Sequence, residues 1–162
     1  MRDFPQNQLD PKIKNVWRIN DFISLTIIWL CCFVPFLIVY LVEPMDWCLI
    51  VLAALGGVYV LGLILFLFAL PPIRYRRWRY ELSEDYLDIA RGIVWRKRFI
   101  IPFIRVQNTD TKQGPILRAF GLSSVTVSTA AGEHAIPGLS NAVADELRDR
   151  AAELARIAQE DV

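Results

Sequence analysis

FISLTIIWLCCFVPFLIVYLV at residues 22–42 and CLIVLAALGGVYVLGLILFLFAL at residues 48–70 are separated only by Glu43-Pro44-Met45-Asp46-Trp47. Neither run holds a charged residue. A hydrocarbon core about 30 Å thick takes roughly 20 residues of helix, and both runs reach that length. Backbone groups in lipid have no water to bond, so each run must be a helix that satisfies itself. The connector is too short for anything but an antiparallel hairpin. Pro35 either kinks the first helix or is tolerated within it.

Charge sets the orientation. Between Arg18 and Arg74 there is no lysine or arginine, and all 18 basic residues lie outside that interval. The connector carries two acids and no base, whereas Arg2, Lys12, Lys14 and Arg18 precede the hairpin. Arg74, Arg76, Arg77 and Arg79 crowd its exit. By the positive-inside rule both termini are cytoplasmic, and Trp47 with Tyr40 suits the aromatic belt at the opposite surface. The expected location is a membrane crossed twice, an inner membrane with both termini on its cytoplasmic side. The first run is too long for a cleaved signal peptide, and no small-residue cleavage site follows it. The expected division is an N-terminal segment 1–21, a transmembrane hairpin 22–70 and a cytoplasmic domain 73–162.

Within the second run, Ala53 and Gly57 stand one helical turn apart. Such a small-residue face admits close approach of another helix. The hairpin partner is its expected occupant, with a second copy of the chain as the other reading. Cys31, Cys32 and Cys48 lie in these runs and make no metal-type or redox spacing, so they read as small apolar residues. An intramembrane charge would mark an ion or proton path, and there is none in either run.

From residue 73 the pattern becomes strand-like. Residues 74–82 alternate, with Trp78, Tyr80 and Leu82 on one face. Tyr86–Arg91 reads as a second strand with Leu87 and Ile89 inward, and Gly92 permits a reversal. Residues 93–101 read as a third strand, with Ile93, Trp95, Phe99 and Ile101 together on one face. Lys97 interrupts that face, which predicts a bulge or an open edge. A fourth strand is expected at about 104–112. A short helix over 116–120 follows Pro115. A strand over 123–129, a turn at Ala131-Gly132 and a brief return strand 134–137 come next. Ser140 suits the N-cap of a last helix with Val143, Leu147, Ala151, Leu154 and Ala158 as its apolar stripe and Ile157 beside it. A strand meander closed by one amphipathic helix is an α+β module.

Several stretches, taken in order, resemble a known group. They are Arg79-Tyr80-Glu81-Leu82-Ser83-Glu84-Asp85-Tyr86-Leu87 after the helix pair, Gly92, and Ile101-Pro102-Phe103-Ile104-Arg105-Val106-Gln107. Leu117-Arg118-Ala119-Phe120-Gly121-Leu122 and the segment from Val125 to Ala130 with Gly132 follow. The chain resembles the bacterial pleckstrin-homology-like membrane proteins of the YdbS type. That resemblance implies a pleckstrin-homology-like (PH-like) barrel attached to a two-helix membrane hairpin, and a link to oligomeric assembly, sometimes with a partner that repeats the module. It supplies no catalytic residues. One departure stands out: five or six strands are legible where the family's barrel has seven.

The chemistry-bearing residues are sparse. His134 is the sole histidine and has no second histidine with which to share a metal. No spacing around Ser123, Ser124 and His134 favours a nucleophilic triad. No catalytic, cofactor-binding or metal-binding residue is expected, and no enzymatic activity. The basic stretch remains. Arg74, Arg76, Arg77, Arg79, Arg96, Lys97 and Arg98 are candidate contacts for anionic lipid headgroups, interleaved with Tyr75, Trp78 and Trp95. For the first four, orienting the hairpin is a sufficient explanation. For the last three, a solvated strand face competes. A net charge of +1 and membrane tethering argue against nucleic acid as a partner. The favoured expectation is a non-enzymatic interaction or scaffold module that assembles with itself or with another membrane protein. The rival is a headgroup sensor.

Overall fold

The structure is a computed structural model that describes residues 5–160. It comprises two compact units. One is Trp17–Pro72; the other contains the described residues up to Val16 together with the chain from Ile73 onward.

The first unit is a helical hairpin. Helix α1 spans Ile13–Val42, and α2 spans Asp46–Ile64. A π-helical turn, Leu65–Ala69, leads into α3, Leu70–Arg77. The helices run antiparallel, as their contacts show. Gly62 faces Leu25, the Tyr59 and Thr26 hydroxyls are 2.9 Å apart, and the Phe36 and Trp47 rings meet edge-on at 6.4 Å. Trp29 stacks on both Phe33 and Tyr59. The most apolar windows of these helices leave their side chains unburied within the protein, so lipid must cover them. Pro35 is accommodated inside α1.

The π turn sits where prolines would otherwise break the ladder. Pro71 has no N–H to offer the Leu67 carbonyl four residues back. Arg18 Nε donates to that carbonyl at 2.9 Å. The Leu70 N–H reaches the Leu65 carbonyl, five residues back. The helix therefore continues through Pro71-Pro72 into the arginines. This corrects the strand expected from residue 74: Arg74–Arg77 are helical, and β1 is only Arg79–Leu82. A helix already nucleated adds residues cheaply, and arginine is a good helix former. That outweighed the alternation.

The second unit holds two three-stranded antiparallel sheets, ordered β1-β2-β3 and β4-β5-β6. The strands of the first after β1 are β2, Tyr86–Arg91, and β3, Lys97–Pro102. A 3-10 turn, Phe103–Arg105, leads to the second sheet: β4, Val106–Lys112; β5, Leu122–Thr129; and β6, Gly132–Ser140. The short helix α4, Pro115–Ala119, joins β4 to β5. The β2–β3 ladder pairs Arg91 with Lys97 and has no register shift, so Lys97 marks no bulge. The register shifts fall at Val106/Asn108 and Ser123/Val125. Residues 93–96 are not strand. With Arg91 and Lys97 paired, they form the hairpin tip, and β3 is shorter than expected.

Helix α5, Asn141–Glu160, lies against β4, β5 and the 3-10 turn. It buries Leu147 and Ala151 of the expected stripe, with Ala144 and Ala155 in place of Val143 and Leu154; Leu154 and Ala158 are half-buried, and Val143 and Ile157 stay exposed. Alanines on the buried face let the helix axis come close to the sheet, which bulky residues at those positions would prevent. Phe103, Leu87, Leu122, Val125 and Ile136 form the centre of the core.

The N-terminal residues complete this unit. Asn7 and Tyr80 form an isolated antiparallel bridge at the edge of β1. The Asp10 N–H bonds the Gly138 carbonyl of β6 at 2.9 Å. Leu9 and Ile13 are fully buried. Residues 7–13, within the N-terminal segment 1–21 of the sequence reading, thus link the outer strands β1 and β6 of the two sheets.

Candidate functional site

The densest cluster of positive charge lies where the last turn of α3 meets the β2–β3 hairpin. Arg76, Arg77, Arg91, Arg96, Lys97 and Arg98 line a hollow of about 280 Å³. A second hollow of about 510 Å³ shares Arg91, Gly92 and Lys97 with the first and adds Arg74, Trp78 and Trp95. The two flank the hairpin tip.

Local sequence explains the shape. Arg91 and Lys97 close the ladder, leaving Gly92-Ile93-Val94-Trp95-Arg96 to turn the chain. Gly92 sits at φ +125°, and a Cβ there would strike the Trp95 carbonyl. Only glycine fits that turn. Arg77 donates to the Ile93 carbonyl, so the base of the tip is tied to α3. Beyond the tie, Val94 is 83% exposed and Trp95 81% exposed.

The cations differ in what they already do. Arg98 is committed: its guanidinium grips the carboxylate of Asp88 at 2.6 Å through Nη2 and 2.9 Å through Nε. Asp88 is only 2% exposed, so this charge must be paired where it lies. Arg91 lies over the Phe99 ring at 5.1 Å. Phe99 in turn meets His134 at 4.9 Å. Burial, and then the nearby Arg91 charge, hold the His134 imidazole below its usual protonation range. Arg76, Arg96 and Lys97 enter no salt bridge among the described residues.

Of the sequence-derived candidates, the structure brings Arg76, Arg77, Arg96, Lys97 and Arg98 to one hollow and Arg74 to the next. Arg79 lines neither. It donates to the Trp78 carbonyl at 3.2 Å, and with the Gln8 amide oriented to satisfy its neighbours it binds the Gln8 oxygen at 2.9 Å. It thereby anchors the N-terminal segment. Arg91, which lines both hollows, belongs to the basic stretch but not to the seven candidate contacts, Trp95 enters the sequence reading only as an aromatic interleaved with them, and Val94 does not enter it. Alternation puts Trp95 on one strand face with Ile93, Phe99 and Ile101, but the ladder ends at Arg91 and Lys97 and leaves it in the hairpin tip. The signal that locates them is Gly92 framed by two basic strand residues.

The other candidate pair, Ala53 and Gly57, is exposed, and a Cβ on Gly57 would meet nothing within 4 Å. Within the hairpin it is Gly62 that faces α1, where an added Cβ would meet Leu25 Cδ2 at 3.6 Å, an ordinary van der Waals contact. Cys31 and Cys32 are exposed, Cys48 is buried, and all three are free. Among the described residues, no three His, Cys, Asp or Glu side chains gather as a metal site.

An apolar helical hairpin followed by two antiparallel three-stranded sheets and a C-terminal helix defines a membrane protein with a PH-like domain. The family model described as "Bacterial PH domain" matches residues 23–155, and the chain belongs to that family. It is YdbS-like: it is 40% identical over 162 residues, the whole of both chains, to the UPF0699 transmembrane protein YdbS of Bacillus subtilis (strain 168). It is also 28% identical over 117 residues to the UPF0699 transmembrane protein YdbT of the same organism, covering 72% of this chain and 23% of that protein. No solved structure matches the chain at a significant level.

Proposed function

We propose that this protein is a non-catalytic module of the inner membrane, with both termini in the cytoplasm, that binds an anionic lipid headgroup at its basic hollow. A single observation carries the proposal: Arg76, Arg96 and Lys97 converge on one hollow with no salt-bridge partner among the described residues. Like charges held together repel, and an anion offsets that cost. Orientation of the hairpin requires positive charge near the helix end, but it does not require strand residues to curve back toward that charge.

The test uses the full-length protein in neutral detergent with short-chain phosphatidylglycerol, read by native mass spectrometry. Each basic residue near an anionic surface contributes about 1 kcal/mol, so Arg76→Gln/Arg96→Gln/Lys97→Gln together should weaken binding by roughly 100-fold. Binding should fall with added salt. Equal binding of short-chain phosphatidylcholine, or no loss in the triple variant, would overturn the proposal.

A second reading is self-assembly, or assembly with another membrane protein, through the hairpin. It is favoured by one specific observation: Ala53 and Gly57 are not covered by α1. A small-residue face exposed to lipid suits a neighbouring helix. Gly57→Leu should then dissociate a discrete oligomer in detergent.

A further inference from the structure

We infer that the β2–β3 hairpin tip is a wedge that enters the bilayer, with Val94 and Trp95 passing among the acyl chains beside the headgroup held in the basic hollow. The inference rests on the headgroup-binding proposal above and extends it from the headgroup to the bilayer interior.

Four observations converge. First, among the described residues Val94 and Trp95 are the most exposed large apolar side chains, more so than any in the membrane helices. Second, they stand side by side on a tip that Gly92 turns sharply, so both project from one point. Burial of such a pair removes apolar surface from water, and tryptophan in particular favours the region between headgroup and acyl chain. Third, the apolar pair is framed by cations. Arg91 precedes it, and Arg96 and Lys97 follow it. An apolar tip with a basic collar fits an anionic leaflet, where the ring is inserted and the charges remain at headgroup level. A protein partner would have to supply an apolar pit ringed by acids; an anionic leaflet offers that chemistry everywhere.

Fourth, the chain between the apolar run and the tip is short: Leu70, where the second run ends, and Arg77, which holds the Ile93 carbonyl at the base of the tip, are seven residues apart.

The experiment uses the full chain with Cys31, Cys32 and Cys48 replaced by alanine, and with Val94→Cys carrying an environment-sensitive fluorophore. A second version carries the label at Ala131→Cys, on the exposed turn between β5 and β6. Both are reconstituted in nanodiscs of phosphatidylglycerol or of phosphatidylcholine whose acyl chains are brominated. The expected result is strong acyl-chain quenching of the Val94→Cys label in the anionic discs and weak quenching in the neutral discs, with little for the Ala131→Cys label in either. Adding Trp95→Ser should remove most of the quenching. Equal quenching at both sites would overturn the wedge. So would a Val94→Cys label that reports an apolar surrounding without acyl quenching, since protein would then cover the tip. If short-chain phosphatidylglycerol still binds but the Val94→Cys label is not quenched, the wedge fails and headgroup binding survives. If neither is seen, both fail.

Discussion

Asn7 and Tyr80 exchange both of their backbone hydrogen bonds, Asn7 N–H to the Tyr80 carbonyl at 3.1 Å and Tyr80 N–H to the Asn7 carbonyl at 3.0 Å. Three residues later, Asp10 turns to the other sheet and bonds Gly138. Residues that precede the first membrane helix thus close a domain whose strands all follow the second. Removal of residues 1–12 should leave the PH-like domain sensitive to trypsin at concentrations that spare the full-length protein. Leu9→Ala alone should cost about 2–5 kcal/mol, the range for emptying a buried leucine site, measured by thermal unfolding in detergent. A fragment beginning at Ile73 should behave like the truncation.

Gly138 is the point of closest approach between that segment and β6. It lies at φ +67°, and a Cβ there would collide with Ile13. Gly138→Ala should destabilise the domain by about 1–3 kcal/mol through crowding, on top of the backbone conformation alanine disfavours. Ile13→Ala in the same chain should recover little, because the Ile13 Cβ that alanine keeps would itself lie 2.6 Å from the added methyl. A double-mutant cycle of melting temperatures checks this.

Arg98 and Arg96 are two residues apart and should behave oppositely. Arg98→Gln strands the Asp88 carboxylate in the interior and should lower the melting temperature distinctly. Arg96→Gln should leave it unchanged while weakening anionic lipid binding. Circular dichroism melts of the two variants, run beside the native mass spectra, separate a stabilising arginine from a ligand-binding one.

His134 should make stability depend on mild acid. Burial, reinforced by the Arg91 charge, lowers its folded-state pKa below the ordinary 6.5. The unfolded chain therefore takes up the proton first as pH falls. Its contribution is fully present above about pH 6.5 and is lost as pH drops from there through the folded-state pKa. His134→Gln should flatten that part of the stability profile, measured by denaturant unfolding between pH 7.5 and 5, a window set by the ordinary histidine value of about 6.5.

Within the hairpin, Arg18 satisfies the Leu67 carbonyl that Pro71 leaves without its ladder donor. Arg18→Leu should cost about 1–3 kcal/mol, the penalty for an unsatisfied backbone group. Pro71→Ala restores the missing N–H and should make Arg18→Leu less harmful. Melting temperatures of the two single variants and the double variant in one detergent decide it.

The membrane hairpin was legible because lipid imposes a simple rule: length and the lack of charge suffice, and α1 contains the first run while α2, the π turn and the first residue of α3 hold the second. The strand order was legible from alternation and turn residues, and β2 matches its expected limits, Tyr86–Arg91. Alternation misled where something non-local decided the outcome. Residues 74–77 alternate yet continue a helix started upstream. Residues 93–96 alternate yet form a tip, because pairing of Arg91 with Lys97 leaves them no partner strand. The stripe of α5 was legible at Leu147 and Ala151 and missed at Ala144 and Ala155, where alanines rather than bulkier residues face the sheet.

Composition and spacing alone determined two helical spans and a strand-rich domain closed by a helix. These depend on transfer free energies and on periods of the local chain, which a sequence carries directly. Tertiary structure alone decided that residues 5–16 complete the domain, that Arg98 serves Asp88, and that Arg76, Arg77, Arg91, Arg96 and Lys97 meet around one hollow. Each of those depends on which distant backbone supplies a missing partner, and no local pattern records that choice.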